Sequence, residues 1–569
     1  MNDNKNMILA VLLSVLVLVG WSFVSEKFLP TPRPQASQSA KPVAAGTPQT
    51  QAGQAPAAAA QLRARAQVIA STPRVRFETP SLRGSINLKG ARIDDVVMLK
   101  HRIGTEANAA PVPLLSPQGA RAASFIGFGW NGDGIAAPGP DTLWQASEPT
   151  LTPGKPVTLS WTSPSGQLFE LNIAVDDLYL FTVTQKVTNA GSAPITLRPY
   201  GFASRAGRSA DVASPNSHIG PISLINGVAN YKVTWQAVRE AGSQGKSVDQ
   251  GTGWLGFTDK YWLTALAPKA PMAGAFRQSG NGAYQADFMG PPATLMPGQS
   301  STFETQVFSG AKEKAALDRY ENAGITKLSK SIDWGWFEWF MRPIFNLLRW
   351  LFAVTGNFGV AIICLTFIVR LIMYPIADKQ FKSMAAMRKV QPKMKAIQER
   401  FKDDKPRQQQ EIMQLYKTEK INPAAGCLPI LLQIPIFYAL YKVLLVSVEM
   451  RHKPFALWIH DLSAPDPLTP VNLFGLLHFT PPHILAIGVL PILVGATQWL
   501  TIKLSPQAMD PTQQQMMAIM PWVMVFIFAP FAAGLQLYYV TNNLLTLLQQ
   551  WWLYKRYDLH FSDTHPVTT

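Results

Sequence analysis

Residues 358 to 376 read FGVAIICLTFIVRLIMYPI, and no other stretch restricts the fold of this chain so strongly. The run is apolar and close to the length of about 20 residues that crosses a bilayer. Inside hydrocarbon each backbone polar group needs a partner within the segment, so the run has to be a helix. Arg370 lies within it. An arginine in a span costs at least roughly 2.5–3.5 kcal/mol on the mildest insertion scale. Two explanations fit the segment by itself. Arg370 is six residues before Ile376. That is roughly 9 Å of helix, a distance over which a long side chain can snorkel to the headgroups. Alternatively, the charge sits in a hydrated place and has a task there.

Composition supports a membrane setting with a large water-exposed part. Charged residues are 15% of the 569, and hydrophobic residues are 47%. Soluble domains carry about 25% charged residues. The length allows two to four domains. The net charge of +16 suits anionic lipid or nucleic acid as a neighbour. Cys364 and Cys427 are the two cysteines, both in or beside apolar runs. A disulfide framework or a zinc site is therefore not expected, nor is any cofactor.

Met7 to Val24 form a second long apolar run. Bulky and charged residues follow it (Trp21, Phe23, Glu26, Lys27) where a signal peptidase would need small ones, so residues 1–24 read as an uncleaved anchor. Residues 25–72 are rich in Pro, Ala, Gln and Ser and read as a flexible linker.

From 73 to 315 the pattern changes to strands. VVML at 96–99, PVTLSW at 156–161, LFELNIAV at 168–175, YLFTVTQKVTN at 179–189, ITLRPY at 195–200, YWLTAL at 261–266 and STFETQVFSG at 301–310 alternate apolar and polar residues between turn residues. This predicts an antiparallel sandwich. After an N-in anchor it belongs on the periplasmic side. GSQGKS at 242–247 lacks the first glycine of a phosphate loop, because position 240 is Glu240. His101 and His218 are isolated, and Trp161, Trp235, Trp254 and Trp262 read as sandwich core before a sugar site.

Residues 316–352 read as connecting and amphipathic interfacial helices, because Trp334, Trp336, Phe337, Trp339 and Phe340 sit beside Arg342 and Arg349. Residues 377–425 carry twelve basic against six acidic side chains, which places them in the cytoplasm. Met384, Met387, Val390, Met394, Ile397 and Phe401 follow helical spacing, and Asp403-Asp404-Lys405-Pro406 breaks it. A two-helix hairpin with a methionine-rich face results. That face either binds partners or joins the two helices. Spans are expected over about 353–376, 427–448, 484–503, 516–531 and 534–553, with a cytoplasmic tail over 557–569.

Polar residues recur inside these spans: Thr366, Gln433, Gln498, Tyr538, Tyr539, Thr541, Asn542 and Asn543. Interhelical hydrogen bonding would explain them, at under about 2 kcal/mol per bond. Yet no Asp or Glu occurs in the last five spans before Glu449. Arg370, read as the one cation of the bundle, then has no carboxylate to pair with. That reads as a hydrated cavity open toward the cytoplasm, and supplies a proton relay poorly.

TFIVRLIMYP, QPKMKAIQERFKDDK, YKTEKINPAAGCLPILLQIPIF, VEMRHKPFALWIHDLSAPDP and GLQLYYVTNNLLTLLQQWWL, in this order over about 333–556, resemble the YidC/Oxa/Alb family. The resemblance implies a membrane protein insertase and chaperone, not an enzyme. It implies an α-helical polytopic membrane protein of six spans, five forming the core, plus an all-β supersandwich in the periplasm, as in the Gram-negative form. It implies a hydrophilic groove, with Arg370 as its arginine and Thr366 and Tyr539 at other groove positions, to which Gln433, Gln498, Tyr538 and Asn542 are added from the spans. Met384, Met387, Met394, Asp403 and Asp404 fall in the hairpin that would receive substrates. Implied partners are nascent membrane proteins, the Sec translocon with its accessory subunits, ribosome or signal-recognition components, and anionic lipids. In one departure, Ala532 stands where the family has proline, and Pro530 lies two residues earlier. A transporter or channel and a membrane-anchored carbohydrate-binding protein are the rival readings. The first would need charged pairs or inverted repeats. The second would need clustered carboxylates between 73 and 310.

Overall fold

The computed structural model describes residues 63–556, except 107, 133, 210–216, 280–281, 336, 403, 420–427, 475, 478–485 and 505–510. For 383–389, 391, 405, 428–432, 511–514 and 516 it describes the backbone alone. The expected anchor, almost all of the linker, Trp336, Asp403, Cys427 and the tail lie outside the described residues, as do the side chains of Met384 and Met387.

The first half is built of two sheets, of eleven and nine strands among the described residues. Pairing is antiparallel except between Arg74–Glu78 and the short strand Thr150–Leu151. Alternation in sequence becomes alternation in burial: in Gln167–Val175 buried and half-exposed residues take strict turns. That strand pairs with Leu180–Asn189, which pairs in turn with Ser300–Ala311. The sheets meet face to face through large aromatics. Phe77 of one stands edge-on to Phe181 of the other at 5.4 Å, and Trp130 meets Phe169 at 5.0 Å. Trp254 is fully buried, Trp161 packs on Phe169, and Trp235 stacks on Phe257 at 5.5 Å. Trp254 is core, and Trp161, Trp235 and Trp262 are half-buried against it.

Several strands escaped the sequence reading. Gly220–Ile225 and Tyr284–Met289 are buried on both faces throughout. Such strands show no period of two.

Ten helices are described. Three are short and belong to the sheet half: α1 (Arg65–Ala70), α2 (Trp235–Ala241) and α3 (Lys314–Asn322). The rest are α4 (Glu338–Thr355), α5 (Phe358–Arg400), α6 (Lys405–Thr418), α7 (Leu428–Val446), α8 (Val489–Leu504), α9 (Pro511–Phe528) and α10 (Ala533–Arg556). The break between α4 and α5 is sharp. Gly356 takes φ 69°, which favours glycine, and the Asn357 side chain caps α5 by accepting from Gly359 N and Val360 N. The helix that carries Arg370 therefore begins at 358. α4 buries Met341, Phe345, Leu348 and Leu351 and exposes Trp339 and Trp350, as an amphipathic helix should.

The larger correction concerns α5. The sequence suggested a span ending near 376 and then a separate hairpin. Instead one helix of 43 residues runs through both. At about 1.5 Å per residue it is roughly 65 Å long. Pro375 and Pro392 lie inside it. Each removes one backbone donor, but the bonds on either side continue. Asp404 caps α6 by accepting from Arg407 N at 3.1 Å. Lys393 and Glu419 pair at 2.6 Å, and Tyr416 Oη lies 3.3 Å from Met394 Sδ. Met394 and Asp404 thus serve to join and cap the two hairpin helices.

Phe358–Lys382 is the one described helix segment both long and apolar enough to cross a membrane by composition. Gln433–Val446, Val489–Leu504 and Met517–Phe528 are shorter apolar helices. Phe367, Leu371, Ile372, Trp522, Phe526 and Leu548 are exposed on the bundle surface. So large an apolar belt suits lipid contact and would be a liability in water.

The segment 447–466, between α7 and α8, joins the two halves. Its Arg451 donates from Nη1 to Arg102 O at 2.7 Å and lies 5.3 Å from the centre of the Trp262 ring. Its Glu449 accepts from Lys314 N at 3.0 Å. On the bundle side, Phe455 O accepts from Asn357 Nδ2 at 2.9 Å. Leu462 O and Ala464 O accept from Gly534 N and Ala533 N at 2.9 and 2.7 Å. The turn that carries Ala532 in place of proline is thus fixed by backbone bonds.

Candidate functional site

Arg370 lies twelve residues into α5. Its side chain is directed at α10, which packs beside it. Nε donates to Asn542 Oδ1 at 2.8 Å, and Nη2 donates to Asn542 O at 3.3 Å and to the Thr546 hydroxyl. The Thr546 hydroxyl in turn donates to Asn542 O at 2.6 Å. Among the described residues no carboxylate pairs with Arg370.

α10 positions these groups by helical spacing. Asn542, Thr546 and Gln549 fall at i, i+4 and i+7, so they form a polar stripe on one face. The neighbouring Asn543 points to another helix, where its Nδ2 donates to Thr497 Oγ1 of α8 at 3.1 Å. Gln536 closes the end of α9, donating to Phe528 O and Phe531 O at 2.9 and 2.8 Å. Gln433 of α7 donates to the Tyr538 hydroxyl at 2.6 Å. Polar side chains of α10 thus reach α5, α7, α8 and α9, which makes it the hub of the bundle.

The structure separates the residues that the sequence grouped. Arg370 and Asn542 meet directly. Tyr538 and Gln433 meet each other, and Tyr538 is fully buried. Tyr539 packs in an aromatic cluster, 4.6 Å from Phe528 and 6.3 Å from Phe437. Thr366 is fully buried and its hydroxyl donates to Ile362 O of its own helix at 2.6 Å. Gln498 is half-buried on α8, and among the described residues no hydrogen bond joins it to Arg370.

Three residues escaped the sequence reading. Thr546 is one, although its i+4 spacing from Asn542 was legible. Gln549 is another: its Nε2 is buried without a hydrogen-bond partner among the described residues. The third corrects the reading of Arg370 as the sole cation. Lys442 of α7 is 1% exposed and lies within electrostatic reach of Asp333, in the segment before α4. It is a second buried cation, near the end of the bundle that faces the sheets.

Toward the other end the α5–α10 seam continues. Arg556 Nη1 donates to the Tyr374 hydroxyl at 3.0 Å and lies 3.8 Å from Asp378. Tyr374 stands edge-on to Trp552 at 5.7 Å, and Phe381 to Tyr554 at 5.1 Å. The root of the hairpin is therefore attached to the end of α10. Among the described residues there is no cluster of His, Cys, Asp and Glu able to hold a metal.

Comparison with known proteins agrees with this architecture. The profile of the 60Kd inner membrane protein family matches residues 350–560, and that of the YidC periplasmic domain matches 74–347. The membrane protein insertase YidC of Zymomonas mobilis is 45% identical over 98% of this chain and 96% of its own length. That of Methylorubrum extorquens is 42% identical over 98% and 96%. A crystal structure described as an active YidC insertase with its first transmembrane domain resolved gives a TM-score of 0.35 at 21% identity, covering 84% of this chain and 92% of that one. The full-length sequence matches carry the assignment: the chain belongs to the YidC family of membrane protein insertases.

Proposed function

We propose that the chain inserts membrane proteins into the inner membrane through the polar seam between α5 and α10. The observation that carries this reading is a partly buried arginine in a span, held by neutral groups and, among the described residues, without a carboxylate partner. Such a charge is stabilised by water and attracts acid, so it can serve as a docking point for the polar tail of a nascent chain. Polar backbone that stays wet partway into the bilayer has less hydrocarbon to cross. The substrate's own helix then moves into lipid, driven by burial of its apolar area. Binding and release of this kind need no covalent chemistry, nucleotide or metal.

In the proposed topology six spans, counting the anchor, leave both termini and the hairpin in the cytoplasm, with the sheet half in the periplasm as a supersandwich. The basic hairpin favours anionic lipid and is the surface we assign to incoming substrates and to ribosome or signal-recognition components. The Sec translocon and its accessory subunits would meet the lipid-facing belt. Neither a transporter nor a carbohydrate-binding protein is favoured, since among the described residues Arg370 has no carboxylate partner and the tryptophans of the sheet half pack in or against its core.

The test is insertion of short-tailed acidic substrates by Arg370→Ala in reconstituted vesicles. Insertion should fall, and Arg370→Lys should largely restore it. Normal insertion of that panel by the alanine variant would remove Arg370 from the mechanism.

A further inference from the structure

We propose that Asn542 and Thr546 determine specificity, by holding Arg370 in place while leaving its charge uncompensated. The inference rests on the docking role given to Arg370 above and adds what makes that role possible.

A guanidinium has five N–H donors. Asn542 Oδ1 takes Nε, and Asn542 O and the Thr546 hydroxyl, themselves 2.6 Å apart, both accept from the same side of Nη2. Among the described residues no hydrogen bond engages Nη1. The fork formed by Nε and Nη2 is thereby occupied, and an approaching carboxylate has only the edge that carries Nη1. The clamp fixes which edge of the charge is presented for a charge-assisted contact.

The clamp is also neutral by composition. An amide oxygen, a backbone carbonyl and a hydroxyl satisfy the donors without cancelling the charge. A carboxylate in place of the Asn542 amide would satisfy the same Nε donor and would compete with every acidic substrate. The shape would stay and the attraction would go. One turn beyond Thr546, the buried Gln549 Nε2 lacks a partner among the described residues. The polar stripe therefore continues past the clamp with a donor that packing among the described residues does not satisfy.

The expected ligand is an acidic segment of a nascent membrane protein. The experiment uses the full chain in vesicles and two single-span substrates that differ only in the short translocated tail, with aspartates in one and asparagines at the same positions in the other. The readout is the ratio of acidic-tail to neutral-tail insertion, which corrects each variant for its general competence. Asn542→Asp should bring the ratio down to that of Arg370→Ala. Thr546→Val, which removes one bond to Nη2, should lower it by a smaller factor, roughly two- to tenfold. If Asn542→Asp and Thr546→Val both keep the wild-type ratio while Arg370→Ala abolishes it, the clamp has no part in specificity and the docking role of Arg370 stands alone. If Arg370→Ala itself leaves the ratio unchanged, the docking role fails and the clamp with it.

Discussion

Thr366 and Arg370 lie one helical turn apart on α5, and their surroundings differ completely. The hydroxyl of Thr366 is fully buried and returned to its own backbone, whereas Arg370 is bound across the interface. Thr366 therefore contributes packing. Thr366→Ala should lower the detergent melting temperature, by an amount equivalent to about 1 kcal/mol, and Thr366→Val should lower it less because the volume is retained. In the sheet half, Asp287 gives a pH prediction. Burial raises its carboxyl to about 6 although Arg277 pairs with it at 3.0 Å. The folded chain then holds a proton that the unfolded chain has already lost. Stability of the sheet half should fall as pH rises from about 4 toward 6 and level off above that. Asp287→Asn should flatten this slope in thermal melts followed by circular dichroism.

At the level of elements, α5 and α10 organise the bundle, and the loop 447–466 holds their sheet-facing ends. Gly359, at the start of α5, shows how close that packing is: a Cβ there would stand 2.0 Å from the Phe455 ring. Gly359→Ala should destabilise the bundle by about 1–3 kcal/mol through overpacking, read as a lower melting temperature of the detergent-solubilised protein. The continuity of α5 has a consequence of its own. The hairpin grows directly out of the helix that carries Arg370, and its root is attached to α10 through Tyr374, Asp378 and Arg556. The first hairpin helix and Arg370 thus share one continuous helix.

For the whole molecule, the junction between the sheet and helix halves is polar and specific. Arg451 is bound to Arg102 O and lies over Trp262, and Glu449 accepts from Lys314 N at 3.0 Å; within the sheet half, Glu313 pairs with His101 at 2.8 Å and accepts from the Tyr179 hydroxyl at 3.0 Å. Arg451→Ala should broaden the distance distribution between spin labels placed on the two halves, and the melt of the sheets should stay as it is. Burial would raise the Glu313 carboxyl, but the bonds from His101 and Tyr179 outweigh it and hold the group below the usual carboxylate range. Its contribution is present once an unfolded glutamate would be ionised and is lost as pH falls through the depressed value. This part of the sheet half should therefore hold through weakly acidic conditions and loosen only in stronger acid, as thermal melts followed by circular dichroism would report. Deleting the sheet half should leave much of the insertion activity, since the seam lies in α5 and α10.

The sequence by itself determined the halves, the alternating strands, the polar hairpin and the lone arginine in an apolar run. Each of these is written in local periodicity, charge or length. Strands buried on both faces, such as Tyr284–Met289, carry no such period and appeared only once the two sheets were formed. The partners of Arg370 were equally hidden. Asn542 and Thr546 lie more than 170 positions away in the chain, and the choice of Asn542 over Asn543, or of the Thr366 backbone bond over the seam, depends on the rotation of α10 against α5. Helix rotation is set by packing among five helices and by the loop at their sheet-facing ends. That is a property of the assembled bundle, which no single segment encodes.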